Sequence, residues 1–384
     1  MPYDVIVLGL GGMGSAAAYH LARRDRRVVG FDRFPPAHDK GASHGRSRII
    51  REAYWEHPSY VPLLWRAYDL WTDLEKASGR SLLLTTGGIM IGAPDSDLIK
   101  GSLESARLHR LTHEVLDAPA IRRRFPVFNP ADDMIGVFEP RAGVLAPEEC
   151  VRVNLEQAAR AGAELHHEEQ VLTWSAQPKG VEVRTALGRY EAGRLVIAAG
   201  PWAPQVLADL GLPLVIERQV IAWFRPVRLA EAFAPGRCPV HIWRVNGRLY
   251  YGFPRLDADG VKIAEHAGGD PTTADTIRRE IAPEEIEELR REFVARHMPA
   301  ANGQVLLTGT CMYAMTPDTH FIIDHHPDHP NVVIAAGFSG HGFKFVPVIG
   351  EILADLVLDG KTRHDISLFA IGRLKAQGHS ASAR

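Results

Sequence analysis

Gly9, Gly11 and Gly14 stand at the spacing Gly-x-Gly-x-x-Gly, directly after the apolar run of residues 4–8. The first glycine of such a loop allows a tight turn, the second lets backbone approach a pyrophosphate, and the third lets a helix pack closely on a strand. The helix that opens there offers free N–H groups and a positive dipole end to phosphate. Asp32, at the end of the next apolar run, can accept bonds from ribose hydroxyls. This is dinucleotide chemistry, and the spacing alone does not separate FAD from NAD. At the other end of the chain, Cys311 opens Cys311-Met312-Tyr313-Ala314-Met315-Thr316, and Lys344 lies between two phenylalanines in Gly340-His341-Gly342-Phe343-Lys344-Phe345. A lysine so placed is not a plain surface charge. A third group, His44, Arg46, Arg48 and Arg51, brackets Ile49-Ile50, which marks a partly buried basic segment.

The elements that must hold these residues can be read from periodicity. Residues 4–8 read as a buried parallel strand, 13–24 as a helix carrying the small residues Ser15 to Ala18, and 27–31 as a second strand: one βαβ unit. Residues 195–200 and 332–337 echo each other, each an apolar run ending in glycine (Gly200 and Gly337). They read as two returns to one sheet, ending at the edge where open α/β sheets bind ligands. Residues 85–146 and 217–317 alternate as antiparallel strands do, with a hairpin signal at Asn246-Gly247. The expected architecture is α/β with an α+β part. A Rossmann-like dinucleotide domain (1–84, 147–216 and 318–384) is interrupted twice by a mixed, largely antiparallel substrate domain (85–146 and 217–317). The charged stretch 281–296 reads as a solvated helix face, and the tail after Leu374 as frayed.

Composition narrows the class. The chain has 384 residues, 46% apolar and 23% charged, room for roughly two cores. Lys plus Arg number 44 and Asp plus Glu 46, a net charge of −2, which gives no electrostatic case for nucleic acid or an anionic membrane. No apolar run is long enough to span a bilayer, and the early first strand leaves no room for a signal peptide. Cys150, Cys238 and Cys311 lie far apart, an odd and sparse set that fits a reducing cytoplasm, and the terminal Ser-Ala-Arg differs from a peroxisomal address. Cys150 and Cys238 read as small core hydrophobes. His325, His326 and His329 sit in a proline-rich turn and are not expected to bind metal; no convincing catalytic triad appears.

Taken together, the glycine loop, the Cys311 segment and the Gly340–Phe345 motif resemble the monomeric sarcosine oxidase family, flavoenzymes that oxidise N-methyl amino acids, over nearly the whole length. The resemblance implies a D-amino-acid-oxidase-type fold and FAD attached covalently through Cys311. It implies that His44 and Arg48 lie on one side of the flavin while Arg51 faces the substrate. Lys344 would join Arg51 in clamping a substrate carboxylate, two buried cations with no acid between them. Tyr251 and His266 would line the substrate pocket. Lys262 would stand beside the flavin 5-nitrogen, a fixed cation that favours the reduction of dioxygen. Gly9, Gly11, Gly14, Asp32, Gly200, Gly340 and Lys344 would contact the cofactor, and Arg46 is left to the surface. The implied reaction is oxidation of sarcosine to glycine, formaldehyde and hydrogen peroxide by a cytoplasmic monomer. Alternatives are an oxidase for a bulkier secondary amine acid (N-methyltryptophan, pipecolate or a glycated amino acid), a flavin dehydrogenase, or a non-catalytic flavoprotein subunit.

Overall fold

The computed structural model describes residues 3–377, so Met1, Pro2 and most of the polar tail, with the terminal Ser-Ala-Arg, lie outside the described residues. Its first sheet has eight strands. The parallel core runs Glu164–His166, Val28–Phe31, Tyr3–Leu8, Arg189–Ile197, His329–Ala336, and Ile322–His326 closes it antiparallel. A hairpin, Val171–Gln177 and Gly180–Thr185, pairs with the first half of Arg189–Ile197. Val5, Ile6, Val7, Leu195, Val196 and Ile197 are fully buried, the signature of strands covered on both faces. The two echoing segments are neighbours here: Leu195 pairs with Val332 and Ile197 with Ile334.

Helix Gly12–Ala22 covers this sheet and packs against Val346–Asp359 and Pro147–Arg160. Its small residues make the close approach possible, and Gly14 makes it necessary. A Cβ on Gly14 would sit 1.7 Å from the Gly9 carbonyl oxygen, so any larger residue pushes the helix off the glycine turn.

A second sheet of nine strands is mixed. Its order is Pro271–Thr272, Val215–Phe224, Val261–His266, Arg248–Gly252, Val240–Val245, Gly88–Gly92, Ile135–Glu139, Glu114–Asp117, with Val305–Met315 paired along Val215–Phe224. Only Gly88–Gly92 and Val240–Val245 run parallel to each other. Asn246 and Gly247 take φ of 48° and 77° at the turn between Val240–Val245 and Arg248–Gly252, the left-handed pair that a tight hairpin needs. A three-stranded sheet, Arg48–Ile50, Gly143–Leu145 and Leu83–Thr85, carries the basic segment in extended form. Arg48 and Arg51 therefore do not share a helix face.

One expectation needs amending. Residues 281–296 are not a uniform solvated face: the helix Pro283–Leu289 runs into a π-helical turn, Arg290–Val294. Glu285 there holds the buried Arg218 at 2.5 Å, and Glu288 reaches Arg248 at 2.9 Å. No helix among the described residues is long and apolar enough to cross a membrane.

Candidate functional site

The basic segment is pinned from two sides before it reaches Arg48. Glu148, in the first turn of Pro147–Arg160, accepts the backbone N–H groups of Gly45 (2.7 Å) and Arg46 (3.0 Å) through one oxygen. Lys262, on the strand Val261–His266, donates its amine to the Gly45 carbonyl (2.7 Å) and to the carbonyl and hydroxyl of Ser47 (both 3.2 Å). Arg48 donates to the carbonyls of Ser47 (2.9 Å) and Ala42 (2.8 Å), and its Nη2 lies 3.6 Å from Cys311 Sγ. Arg46 turns outward to Asp257 and Asp259.

Two cavities meet at Arg48, Tyr313, Gly340 and Phe343. The larger, about 500 Å³, runs from the glycine loop along Asp32 and Gly200 to Met312, Ala314 and Gly340. Gly11 faces it with no neighbouring heavy atom closer than 4.0 Å to where a Cβ would stand, so a side chain there would fill the cradle. Asp32, expected to meet ribose hydroxyls, accepts the N–H groups of Leu10 (2.8 Å) and Phe34 (3.0 Å), so it also braces the glycine loop. This shape and donor set fit an extended dinucleotide such as FAD. Gly340, at φ 76°, lies flat under the Tyr313 ring; a Cβ would come within 2.4 Å of it.

The smaller cavity, about 80 Å³, is lined by Arg51, Glu56, Tyr251, His266, Cys311 and Lys344 among others. Its chief surprise is Glu56. Both of its oxygens lie within 2.7 Å of Arg51 Nη2, with side-chain exposures of 3% and 6% for Arg51 and Glu56. Burial works against both charges, yet each holds the other: Arg51 is raised above its ordinary value, and Glu56 is lowered by Arg51, His341 and Lys344. The expectation of two buried cations without an acid is thus overturned, because a carboxylate five residues beyond Arg51 folds back onto it.

Tyr54 and His341 also escaped the sequence reading. His341 Nε2 faces the Thr319 carbonyl at 2.9 Å, an acceptor only, so that nitrogen carries the proton. Its Nδ1 must then accept from the Tyr54 hydroxyl at 2.6 Å, which leaves the Tyr54 oxygen to receive Lys344 Nζ at 3.5 Å. Lys344 also donates to the His341 carbonyl at 2.7 Å. Tyr54 thereby touches both cations, with the Arg51 guanidinium 4.3 Å from its ring centroid and Lys344 Nζ at 5.2 Å. Buried Glu139 fixes the start of this segment by accepting the N–H groups of Glu52 (2.9 Å) and Ala53 (2.6 Å).

Burial moves most titrating groups toward neutrality. Lys344 is brought down to about 7 by burial and then by Arg51, while Glu56 resists. Burial drops His266 to about 4 and His341 to about 3; for His44, at about 4, Arg48 adds to it. Lys262 is pushed well below its ordinary value by burial and Arg48, although its three acceptors are all oxygens, the set an ammonium takes.

The expected residues are not all brought to one wall. Arg48, Arg51, Tyr251, His266, Cys311 and Lys344 line the small cavity, and Gly9, Gly11, Asp32, Gly200 and Gly340 the large one. His266 Nδ1 lies 3.3 Å from the Tyr313 hydroxyl. Lys262 and His44 line neither cavity; His44 is buried beside the pinned loop with Nε2 lacking any protein partner. Among the three histidines of the proline-rich turn, His326 is committed to Asp209 (2.9 Å) and to the N–H of Asp328 (3.2 Å).

Residues 4–356 match the family model described as FAD dependent oxidoreductase. The chain is 50% identical over 378 residues to the monomeric sarcosine oxidase of Streptomyces avermitilis, covering 97% of this chain and 98% of that protein. It is 34% identical over 374 residues to the N-methyl-L-tryptophan oxidase of Salmonella enteritidis PT4, covering 97% and 99%. The solved structure of NikD, an unusual amino acid oxidase essential for nikkomycin biosynthesis, superposes with a TM-score of 0.83 at 27% identity over 96% of this chain and 97% of that one.

Two expected outcomes follow from the cations. Glu56→Gln leaves a buried guanidinium without its charge partner, a loss of about 3–5 kcal/mol. The variant should melt lower than the wild type, and an unreactive carboxylate such as pyrrole-2-carboxylate should restore more of its melting temperature than it adds to the wild type. Equal ligand shifts in the two proteins would show that Glu56 and the ligand do not compete for Arg51. Lys344 is charged below about 7 and neutral above it. Affinity for the same carboxylate should therefore fall as pH rises through that value, toward tenfold per pH unit, and Lys344→Met should remove most of the slope. Because the folded value of about 7 lies below the ordinary 10.5, Lys344 destabilises the fold at low pH, and that cost fades as pH rises across this window.

Proposed function

Because the chain belongs to the FAD dependent oxidoreductase family, we propose that it oxidises a short secondary amine acid, sarcosine foremost, and passes the electrons to dioxygen. The observation that carries this is the pairing of a dinucleotide-sized cavity with an 80 Å³ annex that holds Arg51 and Lys344. The annex has about one sixth of the larger cavity's volume, so a guest with few heavy atoms suits it best. Sarcosine has about six; N-methyltryptophan, the relative's substrate by name, has more than twice as many. When bound, FAD accepts the hydride equivalent of the N-methyl carbon and returns two electrons to dioxygen, so that sarcosine, dioxygen and water give glycine, formaldehyde and hydrogen peroxide.

The roles of the chain's own residues follow from their surroundings. Gly9, Gly11, Asp32, Gly200 and Gly340 hold FAD, Gly14 lets the helix close on the glycine turn, and Cys311, on the small cavity beside Met312 of the large one, tethers it covalently. Arg51 and Lys344 take the substrate carboxylate, with Glu56 ceding the guanidinium; a guanidinium suits bidentate carboxylate contact and the amine adds a point charge. Tyr251 and His266 close the pocket. The nearby cations Arg48, Arg51 and Lys344 disfavour a positively charged guest. The amine therefore binds neutral and no side chain is required as a base. Lys262, whose amine is held by three oxygen acceptors, supplies positive character where dioxygen is reduced. Residues 1–84, 147–216 and 318–384 form the FAD-binding part, and 85–146 and 217–317 the substrate part. Three cysteines without disulfides fit a cytoplasmic enzyme, which acts as a monomer. The short annex disfavours a bulkier amine acid, and Lys262 disfavours a dehydrogenase.

The reading predicts one peroxide and one formaldehyde per sarcosine consumed. Sarcosine methyl ester should be poorer by a factor of roughly thirty to several thousand, the worth of a lost buried charge partner of about 2–5 kcal/mol. An ester that turns over as fast as the acid would sink the carboxylate clamp and the substrate assignment. Denatured protein should carry fluorescent flavin that Cys311→Ala loses. Full release of wild-type flavin by acid precipitation would rule the tether out.

A further inference from the structure

We infer that Trp55 sets the size limit of the substrate: its indole forms the wall between the small cavity and a surface ion pair, Arg244 with Asp97. The inference rests on the reading of the small cavity as the substrate site. Trp55 is the one tryptophan on the cavity lining. On its other side the Arg244 guanidinium lies 5.5 Å from the ring centroid, and Asp97 holds that guanidinium through Nε at 2.8 Å and through Nη2. The Asp97 side chain is 56% exposed, so the indole stands between an outward-facing ion pair and the annex.

Two neighbouring apolar walls are set in the sheet: Ile242 is laddered to Tyr251 and Met90, and Leu249 to His266, so moving either backbone breaks sheet pairing. Trp55 belongs instead to the irregular segment that follows strand Arg48–Ile50. Its backbone is nevertheless tied down residue by residue. Glu139 takes the N–H groups of Glu52 and Ala53, and Ser105 donates to the Tyr54 carbonyl at 2.6 Å. The Trp55 carbonyl rests on Gly101, where a Cβ would approach it to 2.3 Å. Glu56 is held by Arg51. A wall with a fixed backbone leaves space when its side chain is shortened, because its surroundings relax only in part. The ring, not the loop, therefore confines the guest, and shortening it converts the annex to one for bulkier amine acids.

The test uses holoenzyme and two unreactive carboxylates that differ by a fused benzo ring, pyrrole-2-carboxylate and indole-2-carboxylate, titrated by calorimetry. Trp55→Ala should improve the affinity for the larger ligand relative to the smaller by about tenfold or more, in keeping with the worth of apolar pocket contacts. Trp55→Phe should shift the ratio the same way by less, and it carries the test alone if the alanine variant does not fold. An unchanged ratio in the folded variants overturns the inference while leaving the substrate reading in place. Failure of wild-type protein to bind pyrrole-2-carboxylate overturns both.

Discussion

The site depends on how the backbone of residues 45–47 is satisfied. Gly45 and Ser47 of this turn are buried, and unpaired N–H and C=O groups there are costly. Its N–H groups are answered by one carboxylate, Glu148, from a helix on the first sheet. Its carbonyls are answered by one amine, Lys262, from a strand of the second. The turn is thus a rivet through which both sheets hold the same few atoms. Shift it, and Arg48 loses its register on Gly143–Leu145, Cys311 loses its guanidinium neighbour, and Arg51 no longer points toward Tyr54.

The electrostatic character of the annex comes from an imbalance the fold maintains. Arg48, Arg51 and Lys344 border it with one carboxylate, Glu56, while its histidines are kept neutral by burial. Such a place tolerates its own charge only through paired contacts: Glu56 and Tyr54 for Arg51, backbone carbonyls for Arg48 and Lys344. An incoming carboxylate meets an amine already oriented at Lys344 and takes the Arg51 guanidinium by displacing Glu56.

What the sequence disclosed and what it hid divide along physical lines. Apolar runs such as residues 4–8 and 195–200 fall on buried parallel strands because a strand covered on both faces has no polar side to show. The Asn246-Gly247 turn was legible because few residues tolerate two consecutive positive φ angles. Lys344 stood out for its phenylalanine neighbours. Glu56, Tyr54 and His341 did not, because their meaning lies in contacts across the fold: Tyr54 meets His341 from the far end of the chain, and no local pattern marks that. Glu56 offered a faint signal, an acid shortly after a buried arginine. The charged stretch 281–296 misled because charge density implies solvent, whereas Glu285 holds a buried arginine on strand Val215–Phe224.

The order of strands in the first sheet bears on how the protein comes into being. Tyr3–Leu8 lies beside Arg189–Ile197, which in turn lies beside His329–Ala336, and the glycine-loop helix rests on Val346–Asp359. A ribosome delivers these pieces in sequence, far apart in the chain though adjacent in space. The second sheet can begin to pair while the first still lacks its inner neighbours, since most of its strands are hairpin partners close in sequence. The dinucleotide cradle, by contrast, is complete only once the last long helix has been made. A dinucleotide thus finds its whole cradle only after Val346–Asp359 has been made.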